Sequence, residues 1–168
     1  MSEIDEDSIK QWSLTFSDLI SAKLKANISF KDFESEEIIY NEFLENTNTP
    51  HWITLCEDHE TQQSLIVALN YTCIIATTHN FFSNSAKIEQ EAIKSLSYTE
   101  RFIAEELSDE IISAFTSNDL HLRFIRNESQ MDLIRPFHED DAITIYKFNY
   151  SINNEHYGEL KVCHSHVL

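Results

Sequence analysis

The spacing of apolar residues changes period several times along the chain, and each change marks an element. From Trp12 the period is helical: Trp12, Phe16, Leu19, Ile20 and Leu24 share one face of a helix over 12–26. Ile28 and Phe30 then alternate with polar neighbours, as in a short strand. Ser35-Glu36-Glu37 reads as the start of a second helix carrying Ile38, Ile39, Phe43 and Leu44, and Asn46 to Pro50 has the composition of a loop. Trp52 to Cys56 and Leu65 to Leu69 read as two strands joined by a polar turn. Tyr71, Ile74, Ile75, Thr78 and Phe82 return to helical spacing, and a polar stretch over 83–95 follows.

Ser97 and Glu100 have the form of a capping box, in which each side chain satisfies a free backbone N–H at the start of a helix. That helix, over 97–115, would bury Phe102, Ile103, Leu107, Ile111, Ala114 and Phe115. His121 to Ile125 reads as a strand, Met131 to Ile134 as a short helical turn, and Ala142 to Ile152 as a long alternating strand. A turn at Asn153 to His156 leads into a last strand from Gly158 to Val162. The order of elements repeats between the halves. Ser17-Asp-Leu-Ile-Ser-Ala22 is similar to Ser108-Asp-Glu-Ile-Ile-Ser-Ala114, and a short strand follows each. We read this as an internal duplication with pseudo-twofold symmetry.

Composition narrows the function. The 168 residues, 42% of them hydrophobic, suffice for one domain with a sizeable core. The expected division is a flexible acidic N-terminus over 1–11 and one domain over 12–168. A net charge of −17 argues against nucleic-acid backbone and anionic membrane surfaces, which attract clustered Lys and Arg. The single glycine excludes the Gly-rich phosphate loops, which need at least two. The acidic start is unlike a signal peptide, and no apolar run has the length of a membrane span.

No residue constellation argues for chemistry. Cys163, His164 and His166 crowd together but lack zinc-ligand spacing, and we read them as frayed or edge-strand residues. His51 and Cys56 would lie on opposite faces of a strand, so Cys56 reads as a small core residue rather than a nucleophile. The three cysteines read as free thiols, and neither a metal nor a cofactor is expected. Glu105, Glu106, Asp109 and Glu110 form a solvated helix face, or an acidic surface that selects a basic partner.

Several strings resemble one family. Leu96-Ser97-Tyr98-Thr99-Glu100-Arg101 is similar to the Leu-Thr-x-x-Glu-Arg signature that opens the second half of the middle domain of the flagellar motor switch protein FliM. Ala142-Ile-Thr-Ile-Tyr-Lys-Phe148 and the closing Gly158-Glu-Leu-Lys-Val-Cys163-His164 resemble that domain's last strand pair, and Phe33 to Phe43 fits its first half. The resemblance spans about residues 12–168 and rests on order and spacing.

It implies an α/β/α sandwich related to the chemotaxis phosphatases CheC and CheX, and a non-enzymatic scaffold role in the switch ring that sets rotation direction. The implied partners are a FliG-like rotor protein, phosphorylated CheY, a FliN-like protein and neighbouring copies in a ring. The implied location is cytoplasmic, peripheral at the inner-membrane base of a flagellum or secretion apparatus. Cytoplasmic ring proteins of type III secretion apparatuses are related, and a CheC-like phosphatase is a further alternative. The family's Gly-Gly-x-Gly loop after the third helix, which touches FliG, is replaced here by Phe82-Ser83-Asn84-Ser85. Losing those glycines obstructs close approach of a partner backbone. The phosphatases' Asp or Ser, Glu and Asn pattern is matched nearest by Ser85, Glu89 and Ala92, without the Asn. The usual FliM also has a C-terminal FliN-binding domain, so the chain reads as a fragment or a natural short relative. We place partner binding on Phe81, Phe82, Ser83, Asn84 and Ser85, with Phe82 continuing the core face and Phe81 left partly exposed.

Overall fold

The computed structural model describes residues 4–46, 50–83, 95–130, 133–134 and 136–165. In chain order the elements are α1 (Glu6–Leu24), β1 (Ile28–Ile39), α2 (Tyr40–Asn46), β2 (His51–Asp58), β3 (Ser64–Asn70), α3 (Tyr71–Ser83), α4 (Tyr98–Ser117), β4 (Leu122–Glu128), β5 (Ala142–Ile152) and β6 (Glu155–Ser165). The strands form one six-stranded sheet in the order β1-β5-β6-β3-β2-β4, every neighbouring pair antiparallel. Exchanging β1 with β4, β2 with β5 and β3 with β6 reverses that order and returns the same sheet. The pseudo-twofold axis therefore passes between β3 and β6, whose pairing is centred on Val67 opposite Val162.

The helices obey the same symmetry. Trp12, Ser13, Phe16, Ile20 and Leu24 of α1 are buried, and so are Ile103, Ala104, Leu107, Ile111 and Phe115 of α4, at identical spacing. Ser17 and Ser108, which open the two similar strings, each reach toward an edge strand. The Ser17 hydroxyl donates to the Ile28 carbonyl of β1, and the Ser108 hydroxyl to Asn127 Oδ1 of β4.

Both faces of the central strands are covered, which is why β3 reads as the unbroken apolar run Leu65 to Leu69. Leu65, Val67 and Leu69 face the core beneath α1, α3 and α4. Ile66 and Ala68 face a second, smaller core, with Ile53, Ile143, Ile145 and Cys163, beneath Tyr40 and Phe43 of α2 and beneath Ile134 and Phe137. The result is a three-layer arrangement with one thick and one thin outer layer. In the thick layer a column of stacked rings runs Phe30, Phe16, Trp12, Phe115, with centroids 5.3, 5.2 and 4.7 Å apart. It ties β1 to α1 and α4.

Three expectations are corrected. The acidic N-terminus is not loose from residue 6 onward. Asp5 caps α1 in a capping box with Ser8, Glu6 and Asp7 sit in the first turn where the helix dipole favours acids, and Ile9 is fully buried. Ser35 to Ile39 is strand, not helix. It pairs with β5 residue by residue, Glu36 opposite Ile145 and Glu37 opposite Thr144, so sheet pairing overrides a local helix signal. Finally, Cys163 and His164 lie in β6, between β5 and β3, and both are buried rather than frayed or at an edge. His166 lies outside the described residues.

Candidate protein-interaction surface

Helix α3 has no charged residue, and its first ten positions are almost entirely buried. It leaves β3 directly, its Tyr71 N–H donating to the Pro50 carbonyl at 3.2 Å. It then crosses β6 so closely that a Cβ added to Gly158 would lie 2.6 Å from Cys73 Sγ and 2.9 Å from Thr72 Oγ1. The only glycine in the chain thus serves close approach, not an unusual backbone angle. One turn on, the Thr77 and Tyr150 hydroxyls are hydrogen-bonded at 2.7 Å in the core. At the far end Asn153 Nδ2, in the β5–β6 turn, donates to Asn80 Oδ1 at 3.4 Å. The Asn153 backbone N–H donates to Asn27 O at 2.8 Å, which locks that turn to the start of β1.

By Asn80 the helix has reached the end of the sheet, and its last turn carries two phenylalanines outward. Phe81 is 39% exposed and Phe82 63%, their rings edge to face with centroids 5.0 Å apart. Phe82 was expected to continue the core face of Thr78. It is instead the more exposed of the pair, because among the described residues no strand lies beneath this turn. Ser83 is exposed, and its hydroxyl donates to the His79 carbonyl at 2.6 Å. Asn84 and Ser85 lie outside the described residues.

Helix α4 adds an exposed aromatic that sequence reasoning placed inside. Phe102 was expected on the apolar face, yet it is 54% exposed. Its i, i+4 partner Tyr98 is exposed as well, and that spacing is the signal that a face at the helix start is free. Of the acidic residues on α4, Glu106 and Glu110 both receive Lys23 of α1, which raises the lysine pKa above its ordinary value through the Glu106 hydrogen bond first.

The thiols are held in the protonated form by burial. Cys56, Cys73 and Cys163 are free and buried, and desolvation pushes the Cys56 thiol up to about 12 and the other two up as well. His51 points away from Cys56, toward Asn70, with 3.1 Å between Nε2 and Nδ2. His164 stacks on Tyr146, with 3.3 Å from its Nε2 to the tyrosine hydroxyl. Among the described residues no three His, Cys, Asp or Glu side chains come together as a metal site would require. Among the same residues no helix is long and apolar enough to cross a membrane.

A duplicated antiparallel sheet under long helices is the arrangement of CheC-like proteins. A CheC-like superfamily protein from Shewanella matches with a TM-score of 0.56 at 9% identity, covering 96% of this chain and 98% of that one. The likeness is greater to FliM middle domains. That of H. pylori matches with a TM-score of 0.76 at 9% identity, over 96% of this chain and 94% of its own. Its FliG–FliM complex matches at 0.74, also at 9% identity and with the same coverage. FliY of Thermotoga maritima matches at 0.74 and 8% identity, over 98% and 93%. The chain has the fold of a FliM middle domain, of the α/β/α kind with duplicated halves. No family model matches the sequence. No curated protein matches it either.

Proposed function

We propose that the chain is a non-enzymatic protein-interaction domain of the flagellar switch or chemotaxis kind, which binds a FliG-like partner through the end of α3. The observation that carries this reading is the Phe81–Phe82 pair, two exposed rings at the tip of an otherwise buried, uncharged helix. Exposed aromatics on a rigid element are frequent interface anchors, because they bury large area at little entropic cost. The FliM of H. pylori forms a complex with FliG, and the resemblance puts that contact just after the third helix. Phosphorylated CheY, a FliN-like protein and neighbouring copies in a ring belong to the same reading.

A scaffold role is further supported by α1 and α4, which carry glutamates but no Asn three residues after one, as the pattern of the related phosphatases requires. Without that Asn these helices lack the paired groups that position an attacking water in those enzymes. The decisive measurement pairs two assays on the purified chain: binding of a FliG-like protein, and release of phosphate from phosphorylated CheY. Binding that falls with Phe82→Ala, together with no acceleration of phosphate release, is the expected result. Accelerated release would turn the reading to a phosphatase.

The sequence Phe82-Ser83-Asn84-Ser85 favours a second reading, a ring component of a type III secretion apparatus that need not meet FliG. Side chains stand there where the family's glycines admit a partner backbone. Binding to a secretion-ring protein with none to FliG would select it.

A further inference from the structure

The two edges of the sheet are equivalent by the pseudo-twofold, yet they carry opposite charge. Edge strand β1 contains Asp32, Glu34, Glu36 and Glu37 against a single Lys31. Edge strand β4 contains Arg123 and Arg126, two of the four arginines in the whole chain, against Glu128. All four side chains of interest, Glu34, Glu36, Arg123 and Arg126, are exposed.

Their placement matches as well as their sign. Glu34 and Glu36 stand opposite Lys147 and Ile145 of β5, two positions apart on one face. They share that face with Ile38, which packs on the α2-side core. A bulge at Ile125 brings Arg126 and Arg123 opposite Leu55 and Glu57 of β2, again two positions apart. Leu55 also packs on the α2-side core, so both charged pairs look out on the same side of the sheet. The existing contacts leave capacity: Arg123 Nη2 donates to Glu57 Oε1 at 3.1 Å, Arg126 donates to the Leu133 carbonyl at 2.7 Å and pairs through Nε with Glu128 at 3.4 Å, and Glu34 Oε2 receives Lys147 at 3.2 Å, while each guanidinium has five N–H donors and each carboxylate two acceptor oxygens. Phe124 and Ile125 are exposed beside them.

We propose that β4 of one copy docks on β1 of a second copy, continuing the sheet, with Arg126 and Arg123 facing Glu34 and Glu36. Strand direction permits it. Six strands that alternate in direction leave β1 and β4 running oppositely, so a copy displaced sideways presents an antiparallel edge. Charge selects it. Pairing β1 with β1, or β4 with β4, sets like charges opposite one another, which is how edge strands ordinarily avoid association. Only the unlike pairing is attractive. The contact is heterologous, so a docked pair still offers one free edge of each kind. This inference rests on the sheet edges alone and is independent of the partner proposed for α3.

The test is sedimentation of the purified chain over a concentration series. At about 0.1 M salt, where a range of about 10 Å still spans facing side chains but screens the repulsion between copies of net charge −17, the mean mass is expected to rise with concentration past that of a dimer. At about 0.5 M, where the range falls to about 4 Å, it should return toward one copy. Arg123→Glu with Arg126→Glu, and separately Glu34→Arg with Glu36→Arg, should each remain a single copy. An equimolar mixture of those two variants should associate again, since it restores opposite charge, and far-UV spectra confirm that both fold. A wild-type chain that stays monomeric up to about 1 mM, at roughly a thousandfold above a micromolar dissociation constant, overturns the proposal. So does a mass that saturates at two copies, or a mixture that fails to associate.

Discussion

The indole N–H of Trp12 donates to the main-chain carbonyl of Ile111 at 3.1 Å, in a site from which solvent is excluded. The bond joins the two helices that the pseudo-twofold relates, and it does so asymmetrically. The position in α4 that matches Trp12 is Ile103, which has no polar group to offer in return. The two halves thus present equivalent apolar faces, and the one indole among them fixes their register. Trp12→Ala removes the bond, its stacks on Phe16 and Phe115, and the largest fully buried side chain. The expected cost is about 3–5 kcal/mol, read from urea unfolding.

Ser108 is the hub of a buried polar network. It accepts from Trp52 Nε1 at 2.9 Å and lies 3.0 Å from both Thr54 Oγ1 and Asn127 Oδ1. Ser108→Ala would leave the indole N–H of Trp52 buried without this acceptor. We expect a loss of about 1–3 kcal/mol, against well under half that for the exposed Ser113→Ala. Equal losses in the two variants would contradict the network's role.

Gly158→Ala places a methyl group 2.6 Å from Cys73 Sγ. Because α3 cannot move away from β6 without opening the core, the variant should lose about 1–3 kcal/mol. Adding Cys73→Ala removes the clashing sulfur, and the double variant should recover part of that loss relative to the two single changes. Simple additivity of the single effects would show that the contact with the Cys73 sulfur is not the cause.

The thiols give a pH signature. Cys56 has its pKa raised from the ordinary 9.0 to about 12 by burial, and Cys73 and Cys163 shift the same way. A group whose pKa is higher folded than unfolded contributes fully below the unfolded value and loses that contribution as pH rises through the folded one. Stability should therefore be insensitive to the thiols below about pH 9 and fall progressively above it. Guanidinium melts from pH 7 to 11 would show this, and a cysteine-free variant should show a shallower decline. At pH 7 a thiol reagent should label the native chain far more slowly than the denatured one.

Phe82→Ala should leave stability nearly unchanged, within about 1 kcal/mol as for exposed sites, while weakening partner binding. Phe81, which is more buried, should lose somewhat more stability. A Phe82 variant that melts early and binds normally would assign the ring to packing.

Elements whose signals lie within a few residues were legible directly. The Ser97–Glu100 capping box forms as the sequence implies, with Ser97 N–H to Glu100 Oε1 at 2.8 Å. The alternation from Ala142 to Ile152 is β5, and the repeated Ser-Asp strings mark the two helices that the pseudo-twofold relates. Periodicity reports which side chains share a face, and these faces were read correctly wherever one neighbour covers them. It cannot report what lies opposite. Ser35 to Ile39 is strand because β5 offers a hydrogen-bonding edge along its whole length. Phe82 is exposed because α3 outruns the sheet. Cys163 and His164 are buried because the chain's last described strand is inserted at the sheet's centre and not added at its rim. Each of these depends on contacts between residues far apart in sequence, and only the tertiary structure settles which of them form.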